Sequence, residues 1–488
     1  MKFLRSLLFL SFLTLLLLPS SALKSQTFDG DWICQYRTED NESNGTGVRT
    51  MSVGAIKENT FVALVSPAPT ETNTFCYLVG YTNADSLNGR MGVFPYNQLD
   101  LVTQWSSGFD AVDMKRACDI STTADSFVYV ANNDVDRNIL VFKMSEDAVV
   151  STDYRLVTGA DSLWAIDVDA SGRVFVTTIG VAPDKGKVLV FDGFQKEQDA
   201  WSSTHTLSPL ATLTVPDTGR TRGIAVNGEG TAIYISNWDL DKIYCFTGNV
   251  TDGYNLNTAF DCAVHDTMTA STGAALNPGP WGLGFMDTKN VLFAAMANNF
   301  QTSIGYQYGR IYAINPNTGV LLDTIDCAGW NFAHTGSYQN YTPGNVSGYT
   351  SPYNVDFDEN FNLYDLSYYA WTVDKWQFTG TIPTIPLTIT GIVKDENTIP
   401  EKFTLGQNYP NPFNPSTTIE ISLPQDANIS LSVYSITGEL VTILMDNSYL
   451  TKGNYKLTFN ASKLASGNYI YVLTNNDLKL SRKMSLIK

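Results

Sequence analysis

Short runs of alternating apolar and polar residues dominate the chain, and one order of runs recurs through most of it. Each copy has an apolar pair, a polar turn, an aromatic-rich run, a polar loop and a run ending in an aromatic residue. The clear copies begin 46, 58, 59 and 72 residues apart, at Ile120, Ile166, Ile224, Leu283 and Val355. A weaker copy begins near Val53. Alternation of period two predicts β-strands, and a fourth apolar run follows most copies.

The repeat predicts an all-β fold, a β-propeller, because four antiparallel strands per copy make one propeller blade. Six copies predict six blades over residues 26–380, or seven if a degenerate copy lies within residues 68–110. Ring closure needs a strand from the other end of the chain. Trp32–Tyr36 fits that role, since Pro383 and Pro386 spoil the last copy's own outer strand. The repeat resembles NHL-type and gluconolactonase-like propellers.

The chain after the repeat changes character. Residues 381–402 are rich in Thr, Ile and Pro and predict a linker. Residues 403–488 open with FTLGQNYPNPFNPSTTIEISLP, whose prolines and asparagines predict a rigid, non-helical entry. Six alternating runs then predict a small Ig-like antiparallel β-sandwich. The runs are Thr418–Leu423, Ile429–Tyr434, Leu440–Leu444, Tyr455–Phe459, Asn468–Leu473 and Lys479–Ile487.

The same stretch carries a recognisable set of motifs: QNYPNPFNPSTTI, VYSITGEL, LASGNY and a terminal Lys. With these it resembles the type A C-terminal sorting domain of the bacterial type IX secretion system. In that family the domain carries its passenger across the outer membrane and is usually removed. The resemblance implies that residues 403–488 engage the type IX machinery and its sortase.

The first residues agree with export. Lys2 and Arg5 precede a twelve-residue apolar run, Leu7 to Leu18, and then small residues, which predicts a signal peptide over residues 1–25. That run is too short to span a bilayer, so the mature chain is expected to lack a transmembrane segment. We expect a protein that is secreted, or attached to the outer-membrane surface, after passage through the periplasm.

Charge narrows the classes of partner. The formal net charge is −17; residues 26–400 carry 20 basic and 42 acidic side chains, whereas residues 401–488 carry 8 and 6. An acidic body repels phosphate backbones, which excludes nucleic acid and anionic membrane surfaces as its partners. It favours a neutral or cationic ligand.

Six cysteines in an exported chain favour disulfides over metal binding. Cys245 falls in the predicted third strand of its copy and Cys262 in the predicted fourth strand. Neighbouring antiparallel strands bring such residues within bridging reach, so a Cys245–Cys262 disulfide is expected.

Large side chains recur two positions before the inner-strand apolar residue, namely Trp164, Arg222, Trp281 and Tyr353. Asparagines stand at the ends of second strands, at Asn133, Asn237 and Asn299. In a propeller both positions reach one face, around the channel mouth. Rings and amides there suit a polar ligand such as a glycan, and Arg222 can pair a single carboxylate. The alternative is that the aromatics wedge between blades.

Catalysis is the weaker hypothesis, and no catalytic residue is assigned. Gluconolactonase-like enzymes hold a divalent metal at that face through a first-blade Glu with later Asn and Asp residues. Asn133, Asn237 and Asn299 are counterparts, but the first inner strand, RTMSV from Arg49, has no Glu. We therefore expect a binding protein, with a metal-dependent lactonase-like hydrolase or a structural surface or adhesion component as alternatives.

No cofactor is expected, and calcium is the one candidate ion. Acidic residues alternate in three segments: Asp134/Asp136/Asn138, Asp167/Asp169/Ser171 and Asp356/Asp358/Asn360. Oxygen ligands at alternate positions suit calcium, although D-x-x-G is also an ordinary turn between strands.

Overall fold

The structure is a computed structural model. It describes residues 28–37, 48–67, 77–83, 96–102, 117–133, 138–143, 154–157, 162–180, 183–193, 204–251, 253–263, 268–269, 275–276, 279–297, 309–335, 351–367, 372–385, 387, 392–395, 400–425, 427–450, 452–461, 464–475 and 478–488. Within these ranges it is almost entirely β, with one α-helix, Cys327–Thr335, and one 3-10 turn, Trp238–Leu240.

Six sheets of four or more strands occupy the described part of residues 32–378, and we number them along the chain. Sheet 1 has Val48–Lys57, Thr60–Pro67, Tyr77–Asn83 and Tyr96–Val102. Sheet 2 has Asp119–Thr122, Phe127–Ala131, Ile139–Lys143 and Tyr154–Val157, with Thr204–Thr206 parallel to the last. Sheet 3 has Leu163–Val168, Val174–Thr178, Lys185–Phe191 and Ala211–Thr218.

The other three sheets follow the same order. Sheet 4 has Thr221–Val226, Ala232–Asn237, Lys242–Asn249 and Gly253–Leu256, with Cys262–Ala263 also on the third strand. Sheet 5 has Gly279–Met286, Val291–Ala297, Arg310–Ile314 and Leu321–Ile325. Sheet 6 has Pro352–Phe357, Leu363–Ser367, Thr372–Phe378 and Trp32–Arg37. A separate pair is Met268–Thr269 with Ala275–Leu276.

The first strand of each sheet, its inner strand, contacts the inner strands of both neighbouring sheets. The contact of sheet 6 with sheet 1 closes the ring. This radial arrangement is a β-propeller. The described strands within residues 68–110 are the third and fourth strands of sheet 1.

Sheet 6 combines strands from both ends of the propeller region, which confirms the predicted closure of the ring. Trp32–Arg37 pairs antiparallel with Thr372–Phe378, beginning with Trp32 opposite Phe378. Arg37 lies opposite Asp374 and its Nε donates to Asp374 Oδ1 at 2.6 Å, with both side chains buried. The N-terminal strand is therefore held by a buried ion pair as well as by backbone hydrogen bonds.

A turn with positive φ joins the first and second strands of every sheet in the described ring. The residues in that conformation are Asn59, Ser126, Gly172, Gly230, Asn290 and Phe361. Left-handed backbone favours glycine and asparagine, which explains the repeated D-x-x-G and related turn signals. The inner strands that precede these turns are largely buried on both faces.

Two further four-stranded sheets form the C-terminal part and share one apolar core. One contains Ile392–Asp395, Thr404–Leu405, Ser416–Leu423 and Gly453–Asn460; the other contains Ala427–Ser435, Leu440–Leu450, Gly467–Thr474 and Lys479–Leu486. The six predicted runs are all strands. Ile392–Asp395, which the sequence places in the linker, adds an edge strand beside Gly453–Asn460.

Candidate functional site

The four large side chains predicted at the channel mouth lie together in one stack. The Arg222 guanidinium lies 3.7 Å from the ring centroid of Trp164 and 4.3 Å from that of Trp281. The rings of Trp281 and Tyr353 are 4.5 Å apart. Trp164, Arg222 and Tyr353 are buried, and Trp281 is half-buried. The shared register brings these side chains into contact, but mainly with each other rather than as an open rim.

Each of these residues lies at an irregularity of its inner strand. The register between first and second strands shifts at Trp164, at Arg222, at Trp281 and at Tyr353. A bulge leaves the extra residue unpaired and re-aims its side chain. Four bulges at one register therefore turn four side chains toward one end of the channel axis.

Glycines allow the inner strands to come close enough for this stack. A Cβ atom on Gly223 would lie 2.2 Å from Trp281 O, and one on Gly282 would lie 2.3 Å from Tyr353 O. Ser236 Oγ links the same strands, since it accepts from Gly223 N at 2.7 Å and donates to Trp281 O at 2.8 Å.

Arg222 carries a charge that no side chain neutralises in the described residues. Its Nε and Nη1 are buried and have no hydrogen-bond partner in this part of the chain. Burial, followed by the nearby Arg220 charge, lowers the pKa of Arg222 to about 9. The neighbouring carboxylate, Asp239, is already bound by Arg220 Nε at 2.9 and 3.0 Å.

Trp238 extends the same cluster. Its ring meets that of Trp281 edge-on, with centroids 5.6 Å apart, and the Arg220 guanidinium lies 4.3 Å from it. Trp238 Nε1 and Asn237 Oδ1 are buried atoms for which the described structure contains no hydrogen-bond partner. Trp238 follows Asn237 directly, at the second-strand end that the repeat predicts to lie at the channel mouth.

The predicted asparagines have structural contacts. Asn133 Nδ2 donates to Cys118 Sγ at 3.0 Å and Asn133 Oδ1 accepts from Ser162 Oγ at 2.8 Å. Asn237 Nδ2 donates to Thr218 O at 3.3 Å. Asn299 lies outside the described residues. Among the residues that the structure describes, no three His, Cys, Asp or Glu side chains are grouped to hold a metal ion.

A cavity of about 420 Å³ occupies the channel beyond this stack. Inner strands of all six sheets line it, and it reaches the turns that follow those strands, where Asp287, Thr288 and Glu359 are exposed. The stack lies at the start of the inner strands and the cavity lies toward their ends. The two features are therefore at opposite ends of the channel.

Three aspartates of the cavity wall bridge neighbouring sheets; Asp119 is buried, and Asp167 and Asp356 are half-buried. Asp119 accepts from Ser52 Oγ at 2.6 Å and Ile166 N at 3.0 Å. Asp167 accepts from Ser121 Oγ at 2.9 Å and from Val226 N at 2.7 Å. The third, Asp356, accepts from Ala55 N at 2.7 Å.

The three carboxyl groups also raise one another's pKa. Burial, the largest cause, raises the pKa of Asp119, Asp167 and Asp356 to about 7, and charge coupling among the three raises each further. Asp167 and Asp356 belong to two of the segments in which calcium ligands were predicted. Their signal was an Asp directly after the inner-strand apolar residue, in Ile166-Asp167 and Val355-Asp356.

The calcium-like segments form turns. Asp169 Oδ1 accepts from Ser171 N and Arg173 N at 2.9 and 3.0 Å. Asp358 Oδ1 accepts from Asn360 N and Asn362 N at 2.9 and 3.0 Å. Asp134 and Asp136 lie outside the described residues. In the two described segments, these carboxylates close the hairpin turn, and calcium binding stays a prediction.

The predicted disulfide is wrong. Cys245 and Cys262 are both buried free thiols. The residue opposite Cys262 is Ile243, so Cys245 is its diagonal neighbour, two residues along the strand. Diagonal neighbours have Cα atoms about 7–8 Å apart, beyond the usual span of a disulfide. The prediction that the two cysteines lie in adjacent strands is correct, but the register of those strands keeps the thiols too far apart to bridge.

Comparison with known proteins identifies the C-terminal part. Residues 407–488 match the family described as "Secretion system C-terminal sorting domain". These residues are a type IX sorting domain. The domain indicates that the protein is exported, to the cell surface or the medium, and that the type IX machinery recognises it. Within the part of the chain described, none of the helices has the length and apolar character needed to cross a membrane.

Solved structures resemble the chain only distantly. A gluconolactonase from Xanthomonas campestris has 11% identity and a TM-score of 0.40, covering 73% of this chain and 93% of its own. A Bacteroides thetaiotaomicron protein of unknown function has 10% identity and a TM-score of 0.44, covering 72% and 76%. The β-propeller domain of Cps50 (Swd1) from Myceliophteria thermophila has 10% identity and a TM-score of 0.35, covering 67% and 83%. Comparison with curated proteins gives no significant match.

Proposed function

We propose that this chain is an exported six-bladed β-propeller that binds a small polar extracellular molecule in its axial cavity. The cavity carries the proposal, because inner strands of all six sheets line it and its volume, about 420 Å³, falls in the range of ligand pockets. Its exposed end at Asp287, Thr288 and Glu359 offers an entrance. The carboxyl groups in its lining are polar groups that a ligand can engage, which supports binding over the adhesion or surface-component alternative.

The lining favours a neutral or cationic ligand. Six carboxyls and no Lys, Arg or His occur among the described residues that line the cavity: Asp119, Asp167, Asp287, Asp356, Asp358 and Glu359. Such a wall repels anions and accepts hydrogen bonds from hydroxyl or amino groups. Apolar side chains such as Ile224 and Phe285 lie between the polar ones and suit the less polar face of a sugar. A neutral glycan unit or an amino sugar fits this chemistry.

In this proposal, segments at the two ends of the chain direct its export. The proposed signal peptide, residues 1–25, directs the chain to the periplasm. The sorting domain, proposed to be Ig-like, then carries the propeller across the outer membrane, and the type IX sortase is the proposed partner that removes it. The proposal draws support from the two sheets around one core and from the opposite charges of residues 26–400 and 401–488.

Blocking the cavity entrance tests the binding proposal. We expect glucosamine or glucose to raise the melting temperature of the full chain, and Thr288→Trp to abolish that shift, because a large ring at the exposed turn narrows the entrance. Glu229→Trp is the matched control, since Glu229 is exposed in the equivalent turn of sheet 4 and does not line the cavity. Differential scanning fluorimetry measures all three. A shift that Thr288→Trp leaves intact, or no shift in the wild type, would contradict cavity binding.

Deleting residues 403–488 tests the export role. The truncated chain should accumulate in the periplasm as a folded propeller, because the ring closes on itself through Trp32–Arg37 without residues from the sorting domain. Cell fractionation followed by limited proteolysis measures both location and folding. Normal release of the truncated chain to the medium, or its loss as an unfolded species, would count against this division of roles.

A further inference from the structure

Arg222 has an environment that prepares it for an acceptor outside the protein. Its guanidinium carbon lies over the rings of both Trp164 and Trp281, at 3.7 and 4.3 Å from the ring centroids. A planar cation held between two rings exposes only its edges, which carry the N–H groups. The residue is 8% exposed, and its Nε and Nη1 have no acceptor among the described residues.

Arg222 has no carboxylate partner among the described residues, whereas the neighbouring Arg220 has one. Arg220, two residues earlier, is bound to Asp239 through both carboxylate oxygens, and its backbone N also donates to Asp239 Oδ2 at 2.8 Å. Asp239 is thus fully engaged by Arg220. A buried cation without a carboxylate is costly, and such groups concentrate at functional sites.

We propose that Arg222 binds the carboxylate of a small extracellular molecule, at the end of the channel opposite the cavity. The unpartnered buried nitrogen atoms in this cluster, Arg222 Nε and Nη1 and Trp238 Nε1, are all donors. A set of donors requires an acceptor, and a carboxylate on an arginine edge makes a charge-assisted pair. Trp238 and Trp281 are the half-buried members of the cluster, so entry is from their side.

Other groups in this cluster indicate which kind of molecule carries the carboxylate. Asn237 Oδ1 is a buried acceptor without a partner in the described structure, and it can take a hydrogen bond from a ligand hydroxyl. The half-buried indole rings of Trp238 and Trp281 add apolar surface against which a sugar ring can pack. These features favour a sugar acid over a simple organic acid, and the two are separated by the test.

Isothermal titration of the full chain with glucuronate, glucose and acetate tests the proposal. Glucuronate should bind at least tenfold more tightly than glucose, which lacks the carboxylate, when the two are compared in the Thr288→Trp chain, so that glucose binding in the axial cavity is not counted. Acetate binding of similar strength would support a general carboxylate site, and much weaker acetate binding would support a sugar acid. Failure of both carboxylates to bind the wild type would overturn the proposal.

Substitution of Arg222 tests whether this residue binds the carboxylate of glucuronate. Arg222→Met should weaken glucuronate binding at least tenfold, whereas Lys456→Gln/Glu420→Gln, which removes an exposed ion pair of the C-terminal sheets, should leave it within about twofold. If Arg222→Met fails to fold, Arg222→Lys takes its place and must also weaken binding, because an ammonium lacks the planar edge. Unchanged affinity in the folded Arg222 variant overturns the proposal. Thr288→Trp should leave glucuronate binding unchanged, so this site and the axial cavity fail or succeed independently.

Discussion

Arg37→Met will lower the free energy of unfolding by about 3–5 kcal/mol, the usual cost of removing one partner of a buried ion pair. Arg37 donates from Nε to Asp374 Oδ1 at 2.6 Å, and both side chains are buried. The pair joins the N-terminal strand to the last strand of sheet 6, so its loss acts on ring closure. Asp365 lies close by, and burial, the largest cause, with the nearby Asp374 charge raises its pKa well above the usual value. An unpaired Asp374 would add to that repulsion.

The double variant Arg37→Met/Asp374→Leu is the matched control. It removes the remaining buried charge, and apolar replacement of a complete buried pair is often neutral or stabilising. We expect it to recover most of the stability that Arg37→Met loses, measured by urea unfolding with tryptophan fluorescence. If the single and double variants were equally unstable, packing rather than charge would explain the role of Arg37.

The propeller will be more stable at pH 5 than at pH 8, by several kcal/mol. Burial raises the pKa of Asp119, Asp167 and Asp356 from near 3.8 to about 7. Below pH 4 both the folded and the unfolded chain hold these protons. Between pH 4 and 7 the unfolded chain loses them first, so each group lowers the free energy of unfolding by about 1.4 kcal/mol per pH unit. Above pH 7 the loss is complete.

Replacing all three residues, as Asp119→Asn/Asp167→Asn/Asp356→Asn, should flatten this dependence, because asparagine keeps an acceptor oxygen and does not titrate. Asp239→Asn is the control. The hydrogen bonds and charge of Arg220 lower the pKa of Asp239, so its contribution changes below pH 4 and the fall between pH 5 and 8 should persist. Urea unfolding at pH 5, 6, 7 and 8 measures the slope. A wild-type stability that is constant across this range would contradict the assignment.

Local patterns in the sequence were sufficient for the strands, the export route and the closing strand. Period-two alternation predicted the six runs after Phe403, and all six are strands. Trp32 was placed in the last sheet because Pro383 and Pro386 left that sheet without an outer strand. These predictions succeed because alternation, proline and tight turns act within a few residues of the chain.

The cysteines show where local pattern stops being enough. Adjacent strands were predicted correctly for Cys245 and Cys262, but pairing depends on register, and a diagonal offset separates the two thiols. Register is decided by the packing of whole strands and by the loops between them, which the residues near each cysteine do not encode.

The candidate site likewise combines features that the sequence determined with features that only the tertiary structure decided. Sequence alone determined that Trp164, Arg222, Trp281 and Tyr353 occupy one register, because the repeat defines that position. Tertiary structure decided that bulges turn these side chains into one cation–π stack, and that the open space lies at the other end of the channel. It also decided that Asp119, Asp167 and Asp356, from three sheets, line one cavity wall. Contacts between residues tens to hundreds of positions apart exist only once the ring closes, because burial and charge depend on what neighbouring sheets bring to the axis.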